Sequence, residues 1–554
     1  MATSGISRNS DVVKYYCCTI CETERSVEVD ADFYCKKCLK YFCRTCINSH
    51  RQHGRWFYKK SPYGKDKIMK WPLSKKIENY LLACTIHKDE KLTTYCADHS
   101  QLCCSKCVEL NHSKCSKVTL IPELTNTQPT DLQGLSVKLE TVLGEIKSLQ
   151  INQEASVQSL QRTYKEHGAV MIEQLRGNLN TNIDKCCNSS VGTSGQNLRE
   201  EMCWSVLSIL NEFDNITVKE LNEMKDEVIS IKGSVTSSIH KCTSVHNDLS
   251  QFHEIVQKIG NHKELCLIAS IKCKHIIQQA LTLLGKSGKV FNVQSNNKHN
   301  VRIPSDSDVC YIKGICVLTE GQVLVADYNK RFKLLNQQYQ VVSHCDVTEY
   351  VSDMCQITPS EVAVALDDNA SNTHNVQFIT VTQSQLTLGR KLELQHECSG
   401  IACHQGELFI CSDTALYKYT LYGKQLCRLY EALGYNTVNR CAVSPTGDRL
   451  YITCYWPHKL LTLARDGTLL ATYSDPALDC LRGLHVTPAG QVLVCGYLPY
   501  TVRQVGWEGK SKLAMLATQE DGVWSPASVC YSSTTSSIIV GQWRNDFIWV
   551  FRVE

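Results

Sequence analysis

The segment from residue 18 to residue 115 contains eight pairs of cysteine or histidine, and two other residues separate the members of each pair. The pairs are Cys18 with Cys21, Cys35 with Cys38, Cys43 with Cys46, His50 with His53, Cys84 with His87, Cys96 with His99, Cys104 with Cys107 and His112 with Cys115. Two donors at this spacing can bind one metal ion, and zinc prefers four sulfur or nitrogen donors in a tetrahedron. The eight pairs therefore predict four zinc sites.

We interpret alternate pairs as sharing a metal. In a first module, residues 13–60, one site has Cys18, Cys21, Cys43 and Cys46, and the other has Cys35, Cys38, His50 and His53. In a second module, residues 80–121, one site has Cys84, His87, Cys104 and Cys107, and the other has Cys96, His99, His112 and Cys115. Cys17 and Cys103 fall out of this spacing and are interpreted as thiols outside the metal sites. Each site has four protein donors and no open position, so we predict four structural Zn²⁺ ions and no catalytic residue.

The alternative for so many cysteines is a disulfide framework. The chain has 32 cysteines, and 13 of them lie in the first 121 residues. The amino terminus has no apolar stretch typical of a secretory signal, and no run of 18 apolar residues predicts a membrane span. We therefore expect a cytosolic or nuclear protein that does not interact with membranes. In these reducing compartments, metal binding by cysteine is favoured over disulfides.

The stretches YCKKCLKYFCRTCINSHRQH and CTIHKDEKLTTYCADHSQLCCSKCVELNHSKC resemble a B-box type 1 and a B-box type 2 zinc finger in tandem, as in the tripartite-motif family. In that family a RING finger normally precedes the B-boxes and recruits the ubiquitin-conjugating enzyme. Only 17 residues precede Cys18, too few for another two-zinc module, so we expect no ligase activity of the chain's own. A ubiquitin ligase, acting through a B-box or paired with a RING-bearing relative, stays an alternative.

A basic linker, residues 61–79, connects the two modules. The wider stretch from Arg51 to Lys76 has nine Lys and Arg against the single acid Asp66, with five aromatic residues between them. This composition can bind single-stranded nucleic acid by phosphate contacts and stacking. It also fits a linker whose aromatic side chains pack on the adjacent modules.

Residues 130–285 are predicted to form long helices. Leu132, Leu135, Leu139, Val142, Ile146 and Leu149 follow each other at steps of three and four, which is a heptad seam. Further helical stretches are expected near 206–231 and 249–284, and proline is absent from residue 130 to residue 303. Because an apolar stripe needs a partner, we expect a coiled coil that forms a homodimer. The family resemblance implies an antiparallel pairing, and a monomeric helical bundle is the alternative.

Residues 289–554 are predicted to form an all-β propeller with six blades. One sequence motif recurs six times, as in KGICVLTEGQVLVAD and RGLHVTPAGQVLVCG. The repeats are 39 to 47 residues apart, a spacing typical of propeller blades. The last unit has no room for an outer strand, so we expect the segment near 290–303 to supply it. The block resembles the NHL-type propeller of the tripartite-motif family, and two β-sandwich domains are the alternative.

The expected function of the propeller is to bind a protein or peptide partner. Its cysteines and histidines show no paired ligand spacing, and it has no glycine-rich phosphate loop. Residues 301–554 carry 20 Lys and Arg against 24 Asp and Glu, which disfavours RNA, although an RNA-binding regulator stays an alternative. The whole chain is therefore predicted to be a multidomain zinc-binding scaffold that dimerises and recruits a partner.

Overall fold

The computed structural model describes residues 16–53, 62–87, 89–127, 131–189, 196–259, 262–318, 320–368, 371–382, 384–475 and 478–554. Contacts divide the chain into two compact units. One consists of Met1–Lys147 with Lys241–Ala280, and the other of Ser148–His240 with Leu281–Glu554.

The first cysteine-rich module of the first unit is small and has little regular structure. Its elements are α1 Thr19–Arg25, β1 Phe33–Cys35, β2 Lys40–Phe42, α2 Arg44–His53 and β3 Tyr63–Gly64. The three strands form one antiparallel sheet in the order β2-β1-β3. A module of this size cannot bury enough apolar surface to be stable alone, so it needs another source of folding energy.

The second module repeats this plan after an additional helix. Its elements are α3 Lys75–Leu82, β4 Thr94–Cys96, β5 Gln101–Cys103, α4 Ser105–Asn111, β6 Val118–Leu120 and α5 Ile121–Thr127, and its sheet has the order β5-β4-β6. Ser74 begins α3 as its N-cap, since its Oγ accepts the N–H of Lys76 at 3.2 Å. Ile77 and Leu81, four residues apart on one face of α3, are fully buried.

Three helices follow, α6 Leu132–Ser189, α7 Gln196–Lys258 and α8 Lys263–Leu283. The sequence predicted separate helical stretches near 206–231 and 249–284. This separation is wrong, because α7 continues through residues 232–248 without a break. Val235 and Cys242, one heptad apart in this polar stretch, are buried and keep the helix packed. None of the helices in the described part of the chain has a window apolar enough to cross a bilayer.

In the first unit the seam of α6 is already covered by the same chain. Leu139 and Ile146 are fully buried, and His253 of α7 lies 3.2 Å from the hydroxyl of Ser136. The second module packs on these helices through α3. The Lys272 ammonium of α8 donates to the carbonyls of Tyr80 and Ala83 at 3.3 and 3.2 Å, which satisfies groups at the end of α3.

The second unit contains six four-stranded antiparallel sheets. Their strands are β7 Val293–Asn300, β8 Ile312–Val317, β9 Val323–Asp327, β10 Arg331–Leu335, β11 Val341–Asp346, β12 Tyr350–Thr358, β13 Glu361–Asp368, β14 Thr373–Thr382, β15 Gln385–Glu393, β16 Gly400–His404, β17 Glu407–Ser412, β18 Ala415–Thr420, β19 Gln425–Glu431, β20 Arg440–Val443, β21 Arg449–Cys454, β22 Lys459–Ala464, β23 Leu469–Tyr473, β24 Leu481–Val486, β25 Val492–Gly496, β26 Thr501–Val505, β27 Lys512–Ala517, β28 Pro526–Ser532, β29 Ser537–Gln542 and β30 Phe547–Val553.

These sheets are the six predicted blades. The first strands β8, β12, β16, β20, β24 and β28 contact one another in turn, and β28 returns to β8, so the ring is closed. The last blade has the order β28-β29-β30-β7, because β7 pairs with β30 from Phe547 opposite Asn300 to Val553 opposite Val293. The predicted fold class is confirmed, including the returning outer strand, and the two-sandwich alternative is wrong.

Within the second unit, parts of α6 and α7 pack against the second and third blades. Leu160 of α6 and Val228 of α7 share a buried cluster with Phe378 and Leu408 of the propeller. Leu160 lies so close to Gly406 that a Cβ built there would be 2.5 Å from its Cδ1, and the φ of +87° at Gly406 also favours glycine.

A buried charge cluster lies at the same contact. The Arg390 guanidinium of β15 pairs with the Glu227 carboxylate of α7 and lies 3.8 Å from an oxygen of Glu361. Burial, followed by the repulsion of Glu227, raises the pKa of Glu361 from 4.5 to about 8, although Arg390 opposes this shift. The second oxygen of Glu361 has no hydrogen-bond partner in the described part of the chain.

This raised pKa predicts that the second unit becomes less stable as the pH rises. The folded state favours the neutral Glu361 carboxyl. The contribution of this carboxyl to the free energy of unfolding is therefore complete below pH 4.5 and is lost as the pH rises through about 8. We expect Glu361→Gln to remove this loss, which is on the order of a few kcal/mol between pH 5 and pH 9. Denaturant unfolding of both proteins at the two pH values measures it.

The matched control for this prediction is Glu393→Gln. Glu393 is exposed on β15 of the same blade, so its replacement should leave the pH dependence of the wild type in place. Equal pH dependence of the wild type and the Glu361→Gln variant would contradict the prediction.

Candidate zinc centres

Cluster A consists of the thiols of Cys18, Cys21, Cys43 and Cys46, whose sulfur atoms all lie within 4.8 Å of one another. Cys18 precedes α1 and Cys43 precedes α2, while Cys21 and Cys46 lie in the first turns of those helices. The Cys21 sulfur is 3.9 Å from that of Cys43 and 3.6 Å from that of Cys46. All four side chains are buried, so the two pairs meet in the interior of the module.

Cluster B brings together Cys35, Cys38 and His50. The Cys38 sulfur lies 3.8 Å from Nε2 of His50, and Phe42 stacks on the imidazole with ring centroids 4.5 Å apart. The turn after the first pair closes through Leu39, whose φ is +55° and whose N–H donates to the carbonyl of Cys35. His53, the predicted fourth donor, ends α2, and its side chain lies outside the described residues.

Cluster C consists of Cys84, His87, Cys104 and Cys107. Nδ1 of His87 lies 3.3 Å from the sulfur of Cys104 and 3.3 Å from that of Cys107. The Cys84 and Cys107 sulfurs are 3.6 Å apart. This cluster joins the loop after α3 to the start of α4.

Cluster D consists of Cys96, His99, His112 and Cys115. Both imidazoles turn Nδ1 inward, at 3.2 Å from each other, and Nδ1 of His99 is 3.4 Å from the Cys96 sulfur and 3.3 Å from the Cys115 sulfur. Ser100, directly after the first pair, has a positive φ of +52°, close to the +55° of Leu39 in cluster B. The two modules thus use the same turn at equivalent positions.

These distances fit tetrahedral zinc. Zinc–sulfur bonds of about 2.3 Å and zinc–nitrogen bonds of about 2.0 Å give a tetrahedron with edges of roughly 3.3 to 3.8 Å. The donor separations in clusters A, C and D that are given above lie between 3.2 and 3.9 Å. A disulfide would require about 2.05 Å between two sulfurs, so the geometry is that of metal ligands. The Cys/His clusters therefore indicate zinc binding.

The backbone favours the thiolate at one cysteine of cluster A and one of cluster C, whereas burial raises the pKa of Cys46 and of Cys107 in the same clusters. Burial opposes the charged form of Cys84, but N–H groups of His87 and Ile86 outweigh it and lower the pKa of Cys84 to about 6. Burial likewise opposes charge on Cys43, and the N–H of Cys46 contributes to lowering its pKa to about 7. Since zinc binds the thiolate, these amides reduce the cost of deprotonation on metal binding.

The structure places Cys17 and Cys103 outside the four clusters. The Cys17 sulfur lies 3.4 Å from the Lys76 ammonium, and the Cys103 sulfur lies 3.6 Å from the carbonyl of Gln101. Both side chains are buried, which suits small core residues.

The described part of the linker packs on the first module. Trp71 is buried, with its ring centroid 5.3 Å from that of Tyr16 and 5.7 Å from that of Tyr41. Lys76 pairs with Glu22 at 2.8 Å and with Glu28 at 2.7 Å. These contacts favour the packed-linker interpretation over nucleic-acid binding, while residues 54–61 lie outside the described part.

The structure also groups three residues that the sequence analysis missed, His458, Asp479 and Cys480 of the propeller. Nδ1 of His458 accepts the N–H of Cys480 at 2.9 Å and lies 3.0 Å from Asp479. Asp479 and Cys480 follow His458 by 21 and 22 positions and lie in a different loop, so no local spacing could have identified the group.

Residues 79–119 match the family model of the B-box zinc finger, which coincides with the second module. Over 142 residues, 25% of its length, the chain is 26% identical to "E3 ubiquitin-protein ligase TRIM33" of Homo sapiens and equally to that of Mus musculus. The matched region spans 11% of the length of these relatives.

Two solved structures align with about half of the chain. A structural genomics protein of unknown function from Bacteroides thetaiotaomicron gives a TM-score of 0.40 at 11% identity, over 47% of this chain and 76% of that one. Virginiamycin B lyase from Staphylococcus aureus gives a TM-score of 0.35 at 11% identity, over 48% of this chain and 99% of that one. Together, the matched B-box, the partial similarity to TRIM33, the long helices and the propeller-like β domain make this chain consistent with the tripartite-motif family.

Proposed function

We propose that this chain is a scaffold protein in which four structural zinc ions hold the two amino-terminal modules, the helices pair two chains, and each propeller binds a protein partner. The observation that carries the proposal is the presence of closed Cys/His donor sets, which suit structural zinc, in a chain that also has a rigid six-bladed ring. Two propellers in one assembly would raise the apparent affinity for a bivalent partner.

Self-association requires a surface that one chain leaves uncovered. Within the chain, α6 buries four residues of the predicted seam, Leu139, Val142, Ile146 and Leu149. We therefore propose another surface for pairing. Ile151 and Ile172 lie three heptads apart on another face of α6 and are 57% and 44% exposed. These two exposed isoleucines, with Gln158 and Lys165 at the heptad positions between them, are the surface that we propose for pairing with another copy of the chain.

The test of pairing is the solution mass of the full chain. We expect sedimentation to give twice the mass of one 62.4 kDa chain, and the double variant Ile151→Glu with Ile172→Glu to give the mass of one chain. Gln174→Glu, which places a negative charge on nearly the opposite side of α6 from Ile172, should leave the dimer intact. A wild-type mass equal to one chain would refute the pairing.

The similarity to TRIM33 supports a second candidate function, ubiquitin transfer. A B-box could act alone or beside a RING-bearing relative bound to the same helices. The purified chain would be incubated with ubiquitin and a panel of conjugating enzymes. Robust ubiquitin chains made without another ligase would favour this function over the scaffold.

A further inference from the structure

The two faces of the propeller differ in what covers them. Within each blade, the loops between the first and second strands and between the third and fourth strands lie on one face. In the second unit that face carries Gly406 against Leu160 of α6, and Gly490 against Gly285 just after α8. The opposite face, called here the open face, carries the loops between second and third strands and the loops that enter each first strand.

A group of cationic side chains lies where the central channel meets the open face. Arg440 of β20 pairs with Asp353 of β12 at 3.1 Å and also donates to the carbonyl of Lys313 at 3.3 Å. Arg440 therefore reaches from the fourth blade across to the first. This contact places Lys313 of β8 beside Arg440, and Arg482 of β24 belongs to the same group.

Aromatic rings, not carboxylates, surround the other two cations. The Lys313 ammonium lies 4.7 Å from the ring centroid of Tyr328 and 5.3 Å from that of Trp543. The Arg482 guanidinium lies 4.0 Å from the ring centroid of Tyr497 and 4.9 Å from that of Trp543. Neither cation forms an ion pair with a carboxylate of the described chain, although both lie against the same indole.

This arrangement disfavours charge on Lys313. Burial, Arg440 and Arg482 lower the pKa of Lys313 to about 7, and Asp367 and Asp353 offset only part of that effect. A negative group placed between Lys313 and Arg482 would therefore gain from both cations, and it would relieve their mutual repulsion.

Exposed apolar side chains flank this cationic group on the same face. Tyr435 is 74% exposed, Trp456 52%, Leu498 49% and Trp524 49%, and all four lie in open-face loops of the fourth to sixth blades. Exposed aromatic residues beside arginine are typical of the anchoring region of a protein–protein interface. Three of these four residues are aromatic, and the four together are called the aromatic rim.

The charges elsewhere on the open face favour a peptide over a nucleic acid as the bound partner. Asp367 and Asp368 end β13 at the open face of the second blade, and Glu397 and Asp413 lie in open-face loops of the third blade. These acids would repel an extended phosphodiester chain that passes over the second and third blades, whereas a single carboxylate with apolar neighbours can be held by the cations and the rim of the fourth to sixth blades.

We propose that the open face binds an acidic peptide segment of a protein partner, with one Asp or Glu side chain held between Lys313 and Arg482 and with apolar side chains on the aromatic rim. This inference rests on the proposed role of the propeller in recruiting a partner and names the face and the chemistry of that partner.

The experiment selects phage-displayed random peptides of about 12 residues on the full chain. We expect the enriched peptides to share an Asp or Glu next to apolar residues. Amidation of that acid (Glu to Gln or Asp to Asn in the synthetic peptide) should weaken binding by roughly tenfold or more. Lys313→Gln and Arg482→Gln should each weaken the unmodified peptide similarly, and Trp456→Ala, at an exposed site, should weaken it without affecting folding.

The matched control is Lys512→Gln, which removes an exposed lysine of β27 away from this face and should leave binding unchanged. Peptides that bind the Lys313→Gln and Arg482→Gln variants as tightly as the wild type would refute this face, while partner recruitment by another surface of the propeller would stand. Failure to enrich any acidic peptide would refute the proposed occupant. Tighter binding of labelled oligouridine than of the peptides, lost in the same variants, would assign the face to nucleic acid instead.

Discussion

Replacement of Cys104 by alanine is expected to unfold the second module, residues 80–121, while the propeller keeps its thermal transition. Cys104 precedes α4 and places its sulfur 3.3 Å from Nδ1 of His87 and 3.6 Å from the sulfur of Cys107. Metal binding contributes on the order of 10 kcal/mol to small zinc modules, more than an apolar core of this size can replace.

The interleaved order of the ligands enlarges this effect. The hairpin of β4 and β5 joins cluster C to cluster D, since Cys96 ends β4 and Cys104 follows β5. Loss of one cluster should therefore disorganise both, and we expect the zinc content to fall by about two equivalents per chain. Elemental analysis gives the zinc content, and limited proteolysis shows whether cleavage becomes confined to residues 80–121.

Cys103→Ala is the matched control, because it removes the neighbouring thiol. Cys103 is fully buried but lies outside the clusters, so its loss should cost about 1 kcal/mol and leave the zinc content unchanged. Equal zinc content in the two variants would contradict the assignment of Cys104 as a ligand. The second unit does not contain these clusters, so its unfolding should be the same in all three proteins.

The parts of the structure that follow from local spacing could be predicted from the sequence. A Cys-x2-Cys or Cys-x2-His pair brings its donors together within one turn, so clusters A, C and D could be written down before any fold was known. The blades could be counted for the same reason, since each repeats one phrase of alternating strand and turn. The outer strand β7 could be predicted by counting strands, because the sixth repeat ends at β30 and lacks a fourth strand of its own.

The parts that depend on contacts between distant segments could not be predicted. The α6 stripe indicated that a partner was needed, but periodicity does not distinguish another chain from α7 of the same chain. Glu227 and Arg390 are 163 residues apart, and each resembles an ordinary surface charge in its own segment. Lys313 and Arg482 likewise come from different blades, and only the closed ring brings them to one indole.

Arg390→Ala is expected to cause the second large effect, a loss of about 3–5 kcal/mol from the second unit. The guanidinium forms two contacts with Glu227, including one of 3.2 Å from Nη2 to Oε2, and lies over the ring of Phe378 at 3.6 Å. Glu227 is only 5% exposed, so the variant leaves its carboxylate buried near Glu361 without a cation. Hydrogen exchange along α7 near Glu227 and denaturant unfolding of the full chain measure the loss.

Two comparisons separate a buried charge from a general loss of packing. Arg428→Ala removes an arginine whose pair with Glu431, at 2.8 Å, is about half exposed on both sides, so it should cost no more than about 1 kcal/mol. The double variant Arg390→Met with Glu227→Gln removes both charges and keeps much of the volume, so we expect it to recover most of the lost stability. If Arg390→Ala and Arg428→Ala cost the same, or if the double variant is no more stable than Arg390→Ala, the buried charge does not control how α7 is held on the propeller.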